Sequence, residues 1–266
     1  MNFAKYHGTG NDFLFVDVIP ENPSTLAITM CDRHFGIGAD GLMFAKPSQV
    51  ADLAMAYYNA DGSIAPMCGN GLRCFVRYAL DQGLLKGTFF DIETLAGILE
   101  VALNPDGSLS INLGEPRLQL TKDEMMNQAE SVTITVDGHA FTLYPFFLGT
   151  LHAITLIEPD FDPHSYGEVL TNHPRFPQAI NVNFVTVYNP HTIRVITHER
   201  GAGWTLSCGT GSAASAYWTH RQGLTVSEVT VNVKGGTLKV NHESTVILTG
   251  PAVFIASGTF GGIAHD

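Results

Sequence analysis

A twofold internal repeat is the sequence feature that most limits how this chain can fold. The segments Cys68-Gly69-Asn70-Gly71 and Cys208-Gly209-Thr210-Gly211 are 140 residues apart, and the triplets Gln82-Gly83-Leu84 and Gln222-Gly223-Leu224 have the same spacing. Self-similarity at a fixed offset indicates two copies of one structural unit. We therefore expect two similar halves.

Between the glycine-rich turn and the triplet of each copy, the pattern predicts a helix, at residues 72–82 and 212–222. The repeat continues into Gly97–Val101 and Gly236–Val240. Most other segments alternate polar and apolar residues between turn signals and predict strands, for example 12–19, 53–58, 132–136 and 192–197. The predicted fold class is α+β, with two pseudo-symmetric halves, each a strongly curved, mostly antiparallel sheet around a central helix.

The predicted division of the chain places the N-terminal half at residues 1–114 and the C-terminal half at 115–250. Proline and polar residues interrupt the periodicity at 114–130, which predicts a linker there. A C-terminal strand within 251–266 is expected to be able to return to the first half.

Composition excludes several classes of partner. The formal net charge is −11, which repels a phosphate backbone or an anionic membrane surface. The sequence has neither the run of roughly 18–20 apolar residues that a membrane span needs nor an N-terminal signal segment. We therefore expect a cytoplasmic protein that binds neither nucleic acid nor membrane. Four cysteines are too few for a secreted disulfide framework, so an important cysteine here is expected to act as a thiol.

A cysteine at the start of each repeated helix suggests proton transfer. A helix N-terminus carries unpaired N–H groups and partial positive charge, which favour a thiolate and predict a lowered pKa for Cys68 and Cys208. The same amides suit a carboxylate. Two such cysteines on opposite sides of one cleft could remove a proton from one face of an amino acid's α-carbon and deliver a proton to the other.

Other interpretations of the cysteines are weaker. Cys31 and Cys74 are expected to be small buried hydrophobes. Cys68 and Cys74 are separated by five residues, and neither a CxxC motif nor a histidine pair at the usual spacing accompanies them, which argues against a zinc site. Neither glycine-rich turn ends in the Lys-Ser/Thr of a phosphate-binding loop. We therefore expect no metal and no cofactor.

Several motifs together resemble the diaminopimelate epimerase family, and they extend over nearly the whole chain. They are His7–Phe13, Gly36–Gly41, Tyr58–Ser63, Cys68–Cys74 and His198–Gly211. The resemblance implies pyridoxal-independent, two-base conversion of LL-diaminopimelate to meso-diaminopimelate, which serves lysine and peptidoglycan precursor synthesis. It also implies a homodimer, and a cleft between two α/β halves that closes over a small amino-acid substrate.

The resemblance assigns roles to individual residues. Cys68 and Cys208 would be the acid/base pair, assisted by His152 and Glu199. The reacting carboxylate would be held at Gly69, Asn70, Gly209 and Thr210, and the other polar groups of the substrate at Asn11, Asn59, Thr150, Asn181, Glu199 and Arg200. Each assignment competes with a structural one: asparagines 11 and 59 are also typical turn formers, Arg200 could form a surface ion pair, and an isolated histidine in an apolar strand is typical of a protein core.

Two departures from the family pattern concern the substrate. Thr150 stands where the family commonly has asparagine, and Trp204 stands where glutamate is frequent. These changes motivate an alternative, a racemase of the same family acting on another amino acid such as histidine. Rivals from other classes are a binding protein without catalysis and a structural subunit. Retention of both cysteines with His152 and Glu199 argues against the first, and the paired glycine-rich turns argue against the second.

Overall fold

The computed structural model describes residues 1–261. The chain forms two compact units, one built from Met1–Ile111 with the segment that begins at Gly250, and the other from Asn112–Thr249. Residues 262–266 of the predicted returning segment lie outside the described residues. The division into independently folding domains stays a prediction.

Strands dominate both units. In chain order, the elements within residues 1–261 are β1 (Asn2–Gly8), β2 (Asn11–Val16), α1 (Pro23–Cys31), β3 (Gly41–Lys46), β4 (Leu53–Asn59), α2 (Gly69–Asp81), β5 (Phe89–Thr94), β6 (Gly97–Leu103), β7 (Leu109–Asn112), β8 (Val132–Val136), β9 (His139–Leu148), β10 (Thr150–Leu156), α3 (Gly167–Thr171), β11 (Asn181–Asn189), β12 (Thr192–Glu199), β13 (Gly203–Trp204), α4 (Gly209–Arg221), β14 (Glu228–Val233), β15 (Gly236–Asn241), β16 (Ile247–Gly250) and β17 (Val253–Thr259). None of these helices is long and apolar enough to cross a membrane.

The strand pairings repeat between the units. In the first unit the order is β17-β1-β2-β3-β4-β5-β6-β7, with β2–β3 and β4–β5 parallel and the other neighbours antiparallel. In the second the order is β8-β9-β10-β11-β12-β14-β15-β16, and the parallel pairs again stand third and fifth, at β10–β11 and β12–β14. The internal repeat therefore covers eight strands, and β17 occupies in its unit the place of β8 in the other.

Each sheet packs around one central helix, as predicted. α2 contacts β1, β2 and β3, while α4 contacts β10, β11, β12, β14 and β15. Ten residues of each helix are buried. The predicted α+β class, with mostly antiparallel sheets, is confirmed.

The two central helices begin and end in the same way. Each has thirteen residues and a cysteine N-cap. Each begins three residues before the predicted start, because the glycine-rich turn is itself the first helical turn. At the other end Gly83 and Gly223 both have φ +72°. This left-handed conformation suits glycine and ends a helix, which explains the repeated Gln-Gly-Leu triplet.

Two further helices were not predicted. In α1, Pro23 occupies the first turn and the Asn22 side chain accepts a hydrogen bond from the N–H of Thr25, so the Asn-Pro pair is a usable start signal. α3 has five residues and no side-chain cap, and only its packing against β11, β12 and β13 supports it.

The predicted linker at 114–130 is irregular and mostly exposed, but two of its side chains anchor it to the second unit. Leu120 and Met125 are buried in the hydrophobic core of the second unit. The Arg117 guanidinium donates two hydrogen bonds to the Glu124 carboxylate. This segment is therefore part of the folded second unit.

Candidate active site

Cys68 lies at the centre of a polar cluster in the first unit. Its half-buried sulfur accepts a hydrogen bond from Gly71 N at 3.4 Å, and its S–H donates to Asn11 Oδ1 at 3.5 Å. Asn70 Nδ2 donates to the same Asn11 oxygen at 3.4 Å. The structure thus brings together three residues that the resemblance assigned to the site.

Arg73 supports this cluster and was missed by the sequence analysis. The side chain is fully buried and its guanidinium donates to Asn70 Oδ1 at 2.8 Å and to the carbonyl of Gly69 at 3.3 Å. A guanidinium only donates, so it fixes which end of the Asn70 amide faces Asn11. An arginine five residues after a candidate nucleophile, on a buried helix, was the available signal.

Asn11 and Asn59 have local partners as well. Asn11 Nδ2 donates to the Asp40 carboxylate at 2.5 Å. Asn59 Nδ2 donates to Ser63 Oγ at 2.9 Å, within a turn closed by a bond from Asn59 N to the carbonyl of Ser63. The turn-forming interpretation of Asn59 therefore has a structural basis, and its role in substrate binding stays a prediction.

Cys208 lies in the equivalent position of the second unit but in a different electrostatic environment. Its sulfur accepts a hydrogen bond from Gly211 N at 3.4 Å and lies 3.7 Å from Thr210 Oγ1. Burial raises the pKa of the thiol well above its usual value, and the negative charge of Glu199, to which the thiol is hydrogen-bonded, raises it further. The bonds from Gly211 and Thr210 act in the opposite direction and are outweighed. The prediction of a lowered pKa is wrong for Cys208.

A thiol with a raised pKa should react slowly with an alkylating reagent. At pH 7.5 we expect iodoacetamide to modify the Cys208 peptide slowly, and Glu199→Gln to increase that rate severalfold because it removes the repelling charge. The measurement is mass spectrometry of the digested protein over time. Glu168→Gln, which makes the same charge change elsewhere in this unit, is the control. Rapid labelling of Cys208 in the wild-type protein would contradict the assignment.

His152 and Asn183 form a buried pair near the start of α4. His152 is fully buried, and burial together with the positive charge of Arg200 lowers its pKa to about 3. Its Nδ1 lies 3.2 Å from Asn183 Nδ2. Asn183 itself is packed against the first turn of α4, since a Cβ at Gly211 would lie 2.3 Å from Asn183 Oδ1. The sequence analysis missed Asn183, although it lies two positions from Asn181 on the same face of a strand.

Asn181, Arg200 and Thr150 form the other polar group of the second unit. Asn181 Nδ2 donates to the carbonyl of Leu151 at 2.8 Å, and its Oδ1 accepts from Arg200 N at 2.9 Å. The exposed Arg200 guanidinium donates to the carbonyl of Gln178 and, at 3.4 Å, to Thr150 Oγ1. Arg200 has no carboxylate partner within 4 Å among residues 1–261, so the surface ion pair considered above is not formed there.

Trp204 is an integral part of the second unit's packing. Its ring lies 5.7 Å from that of Phe184 and 5.0 Å from that of His198. A Cβ at Gly167 would lie 2.4 Å from the indole. Trp204 therefore fills the space between α3 and the sheet, and its presence has a structural explanation that requires no aromatic substrate.

Replacing Trp204 by glutamate is expected to destabilise the protein whichever amino acid it acts on. Loss of the packed ring and partial burial of a carboxylate should lower the free energy of unfolding by about 2 kcal/mol. Urea denaturation followed by circular dichroism measures this, and Trp204→Phe, which keeps an aromatic ring, should lose less. Unchanged stability with selective loss of histidine turnover would support the stacking role instead.

Comparison with known proteins assigns the family. The model of the family described as "Diaminopimelate epimerase" matches residues 3–119 and 148–255. The chain belongs to the diaminopimelate epimerase family. A diaminopimelate epimerase of Alkaliphilus metalliredigens is 38% identical over 275 residues, covering 98% of this chain and 97% of that protein. Another, of Archaeoglobus fulgidus, is 39% identical over 267 residues, covering 96% and 95%.

Solved structures agree on the fold. A PhzF-family phenazine biosynthesis protein of Bacillus anthracis matches with a TM-score of 0.70 at 18% identity, covering 97% of this chain and 98% of that one. A probable proline racemase of Agrobacterium radiobacter matches with a TM-score of 0.73 at 15% identity, covering 97% and 92%. At such identities the likeness establishes the fold alone.

Proposed function

We propose that this protein is an isomerase that converts LL-diaminopimelate to meso-diaminopimelate by a two-base mechanism without a cofactor. The observation that carries the proposal is the pair of cysteines that cap equivalent helices of two repeated units, in a chain whose family match extends over most of its length. The implied pathway is lysine and peptidoglycan precursor synthesis. Nothing in the comparisons favours histidine as the substrate.

The substrate's reacting carboxylate is bound at the two helix N-termini. The first amides of a helix have no intrahelical acceptor and lie at the positive end of its dipole. In this proposal the amides of Gly69 and Asn70 from one unit, and of Gly209 and Thr210 from the other, surround the carboxylate. They stabilise the additional negative charge that develops on its oxygens when the α-proton leaves.

The different environments of the two cysteines suggest their starting roles. Cys208, hydrogen-bonded to Glu199, begins as the thiol and delivers its proton to the α-carbon. Cys68, whose surroundings include the buried cation of Arg73, acts as the thiolate once the S–H that it directs at Asn11 Oδ1 has ionised, and removes the original α-proton from the opposite face. After one turnover Cys68 carries the proton and Cys208 is the thiolate, so the enzyme is poised for the reverse reaction. The mechanism requires Cys68 and Cys208 to act on the same α-carbon.

The distal end of the substrate carries a second carboxylate and ammonium group. Arg200 is exposed and without a carboxylate partner in the described structure, so its guanidinium is suited to the distal carboxylate. Thr150, Asn181 and Asn59 are the proposed neutral partners. Thr150 Oγ1 accepts a hydrogen bond from the Arg200 guanidinium at 3.4 Å, which supports including Thr150 among these partners.

Incubation with LL-diaminopimelate in D₂O tests the proposal. We expect conversion to the meso isomer with one deuterium incorporated at the inverted α-carbon, read by chiral chromatography and mass spectrometry. Single enantiomers of histidine, lysine and glutamate are the comparison substrates. Turnover of histidine without turnover of diaminopimelate would overturn the choice of substrate, and absence of any α-exchange would overturn the enzymatic proposal.

Thr150→Asn is expected to be tolerated or to raise kcat/KM for diaminopimelate up to about threefold. The longer amide restores the residue that the family commonly has and offers a donor and an acceptor to the distal group. Steady-state kinetics with LL-diaminopimelate measures it. Thr150→Val, which removes the hydroxyl at nearly constant size, is the control and should raise KM. Loss of activity in Thr150→Asn with no change in Thr150→Val would place Thr150 outside the distal site.

We further propose that the protein is cytoplasmic and forms a homodimer. The substrate is an intermediate of intracellular biosynthesis, and the exposed strand β17 carries apolar residues, including Val253, Phe254 and Ile255, that a second copy could cover. Analytical ultracentrifugation at micromolar concentration tests the dimer, and a purely monomeric species would contradict it.

A further inference from the structure

Asn183 lies at the centre of a buried hydrogen-bond network in the second unit. It is fully buried on β11. Thr197 Oγ1 donates to Asn183 Oδ1 at 2.9 Å, while Asn183 Nδ2 is within 3.2 Å of the carbonyl of Ala153 and 3.4 Å of that of Asn181. Backbone carbonyls can only accept hydrogen bonds, so the amide group must face them with its nitrogen. The orientation of the Asn183 side chain is thus determined by groups that have a single hydrogen-bonding role.

This orientation determines where His152 carries its proton. Asn183 Nδ2 also faces His152 Nδ1 at 3.2 Å. A protonated Nδ1 would bring two donors together, so Nδ1 must present its lone pair. Since burial lowers the pKa of the imidazole to about 3, the ring is neutral near pH 7 and its proton resides on Nε2. The Nε2 atom is buried and has no hydrogen-bond partner in the described part of the chain.

A buried N–H donor without an acceptor destabilises a folded protein, and a catalytic role is one of the few reasons for which a native protein retains such a group. His152 is directly opposite Asn181 in the β10–β11 pairing, and Asn181 binds the backbone of Arg200. On the other side, Asn183 touches the first turn of α4, which begins at Cys208. The residue with the unpaired N–H is therefore linked through Asn183 to the helix that begins at Cys208, the proposed catalytic thiol. It is linked through Asn181 to Arg200, the proposed distal ligand.

We infer that Asn183 is a positioning residue that holds His152 in the Nε2–H tautomer, so that His152 serves the substrate as a neutral hydrogen-bond donor and not as a base. The inference rests on the proposed function only for the identity of the acceptor, an anionic oxygen of the bound amino acid. The proton transfers then belong to the cysteines and Glu199, and His152 stabilises charge on the substrate without changing its own protonation.

Nitrogen-15 NMR of histidine-labelled protein tests the tautomer directly. The His152 signals are identified by their absence from the spectrum of His152→Gln. In the wild type we expect Nδ1 to resonate as an unprotonated ring nitrogen and Nε2 as a protonated one, with neither titrating between pH 5 and 8. A protonated Nδ1, or an imidazole that titrates in this range, would overturn the inference even if neither Asn183 variant folded.

Variants of the network separate positioning from packing. Asn183→Asp replaces the donor by an acceptor of the same shape and should move the imidazole proton to Nδ1, with kcat for diaminopimelate at least tenfold lower. Asn183→Ala removes the preference and should yield a mixture of tautomers. Thr197→Val is the matched control, because it alters the same buried network without touching the imidazole, and it should keep the wild-type tautomer.

An unchanged tautomer in both Asn183 variants would refute the positioning role. If the wild type has the expected tautomer and the variants shift it, but no diaminopimelate is epimerised, then the proposed function fails while the assignment of Asn183 stands.

Discussion

Cys68→Ala and Cys208→Ala should each lower the rate of diaminopimelate epimerisation by at least about 10³-fold. Each variant lacks one of the two groups that must act on opposite faces of the α-carbon, and a positioned acid or base contributes about 10² to 10⁴ in rate. Chiral chromatography of the reaction with LL-diaminopimelate measures the loss. Near-native epimerisation by either variant would refute the two-base proposal.

Isotope exchange in the same variants distinguishes the two thiols. One isomer of the substrate presents its α-proton to the remaining cysteine, and this cysteine can still exchange that proton for deuterium without inverting the α-carbon. The opposite isomer should exchange its α-proton far more slowly. Mass spectrometry in D₂O, starting separately from the LL and meso isomers, reads this directly. If both isomers exchange equally in both variants, the proposed division of labour is wrong.

Cys74→Ala is the matched control for these substitutions. Cys74 lies on α2 beside the site but is buried, and burial strongly raises its pKa, so it should take no part in proton transfer. Its replacement should leave kcat within about threefold of the wild type and cost about 1 kcal/mol of stability through the small cavity. Loss of activity comparable to Cys68→Ala would mean that the loss in that variant reflects disturbed packing of α2.

Gly211→Ala should be far more damaging than the equivalent change, Gly71→Ala. A Cβ at Gly211 would lie 2.3 Å from Asn183 Oδ1, which cannot retreat because Thr197 and two backbone carbonyls hold the amide. At Gly71 the closest atom, also at 2.3 Å, is the terminal methyl group of Met43, which can rotate away. We expect Gly211→Ala to lower the free energy of unfolding by about 2–4 kcal/mol and Gly71→Ala by about 1 kcal/mol.

Activity should follow the same order. Gly211 N–H donates to the Cys208 sulfur, so displacement of the helix start moves the reacting thiol, and a shift of about 1 Å can cost about 100-fold in rate. Urea denaturation and steady-state kinetics on the two variants, which occupy equivalent positions of the repeat, provide the comparison. Equal effects at both positions would show that the Asn183 network is not the rigid element we describe.

Features that depend on local hydrogen bonding and on repetition could be predicted from the amino-acid sequence. The two central helices could be located because short contiguous segments mark both of their ends in each copy. These segments are the cysteine N-cap with its glycine-rich first turn and the terminal Gly-Leu pair. The family followed from contiguous motifs such as Cys68–Cys74. The strand at 132–136 agreed with the structure residue for residue, because alternation is a local property.

Features that depend on contacts between residues distant in the sequence became apparent only in the folded structure. Cys68 and Cys208 are the N-caps of equivalent helices, yet burial and the Glu199 carboxylate raise the pKa of Cys208. A position at a helix N-terminus does not reveal how strongly the folded protein desolvates the thiol. The sequence left Trp204 open as a possible substrate contact, whereas the structure shows its ring packed on Gly167. The importance of Asn183 comes from contacts with residues up to 31 positions away, and only folding brings these partners together.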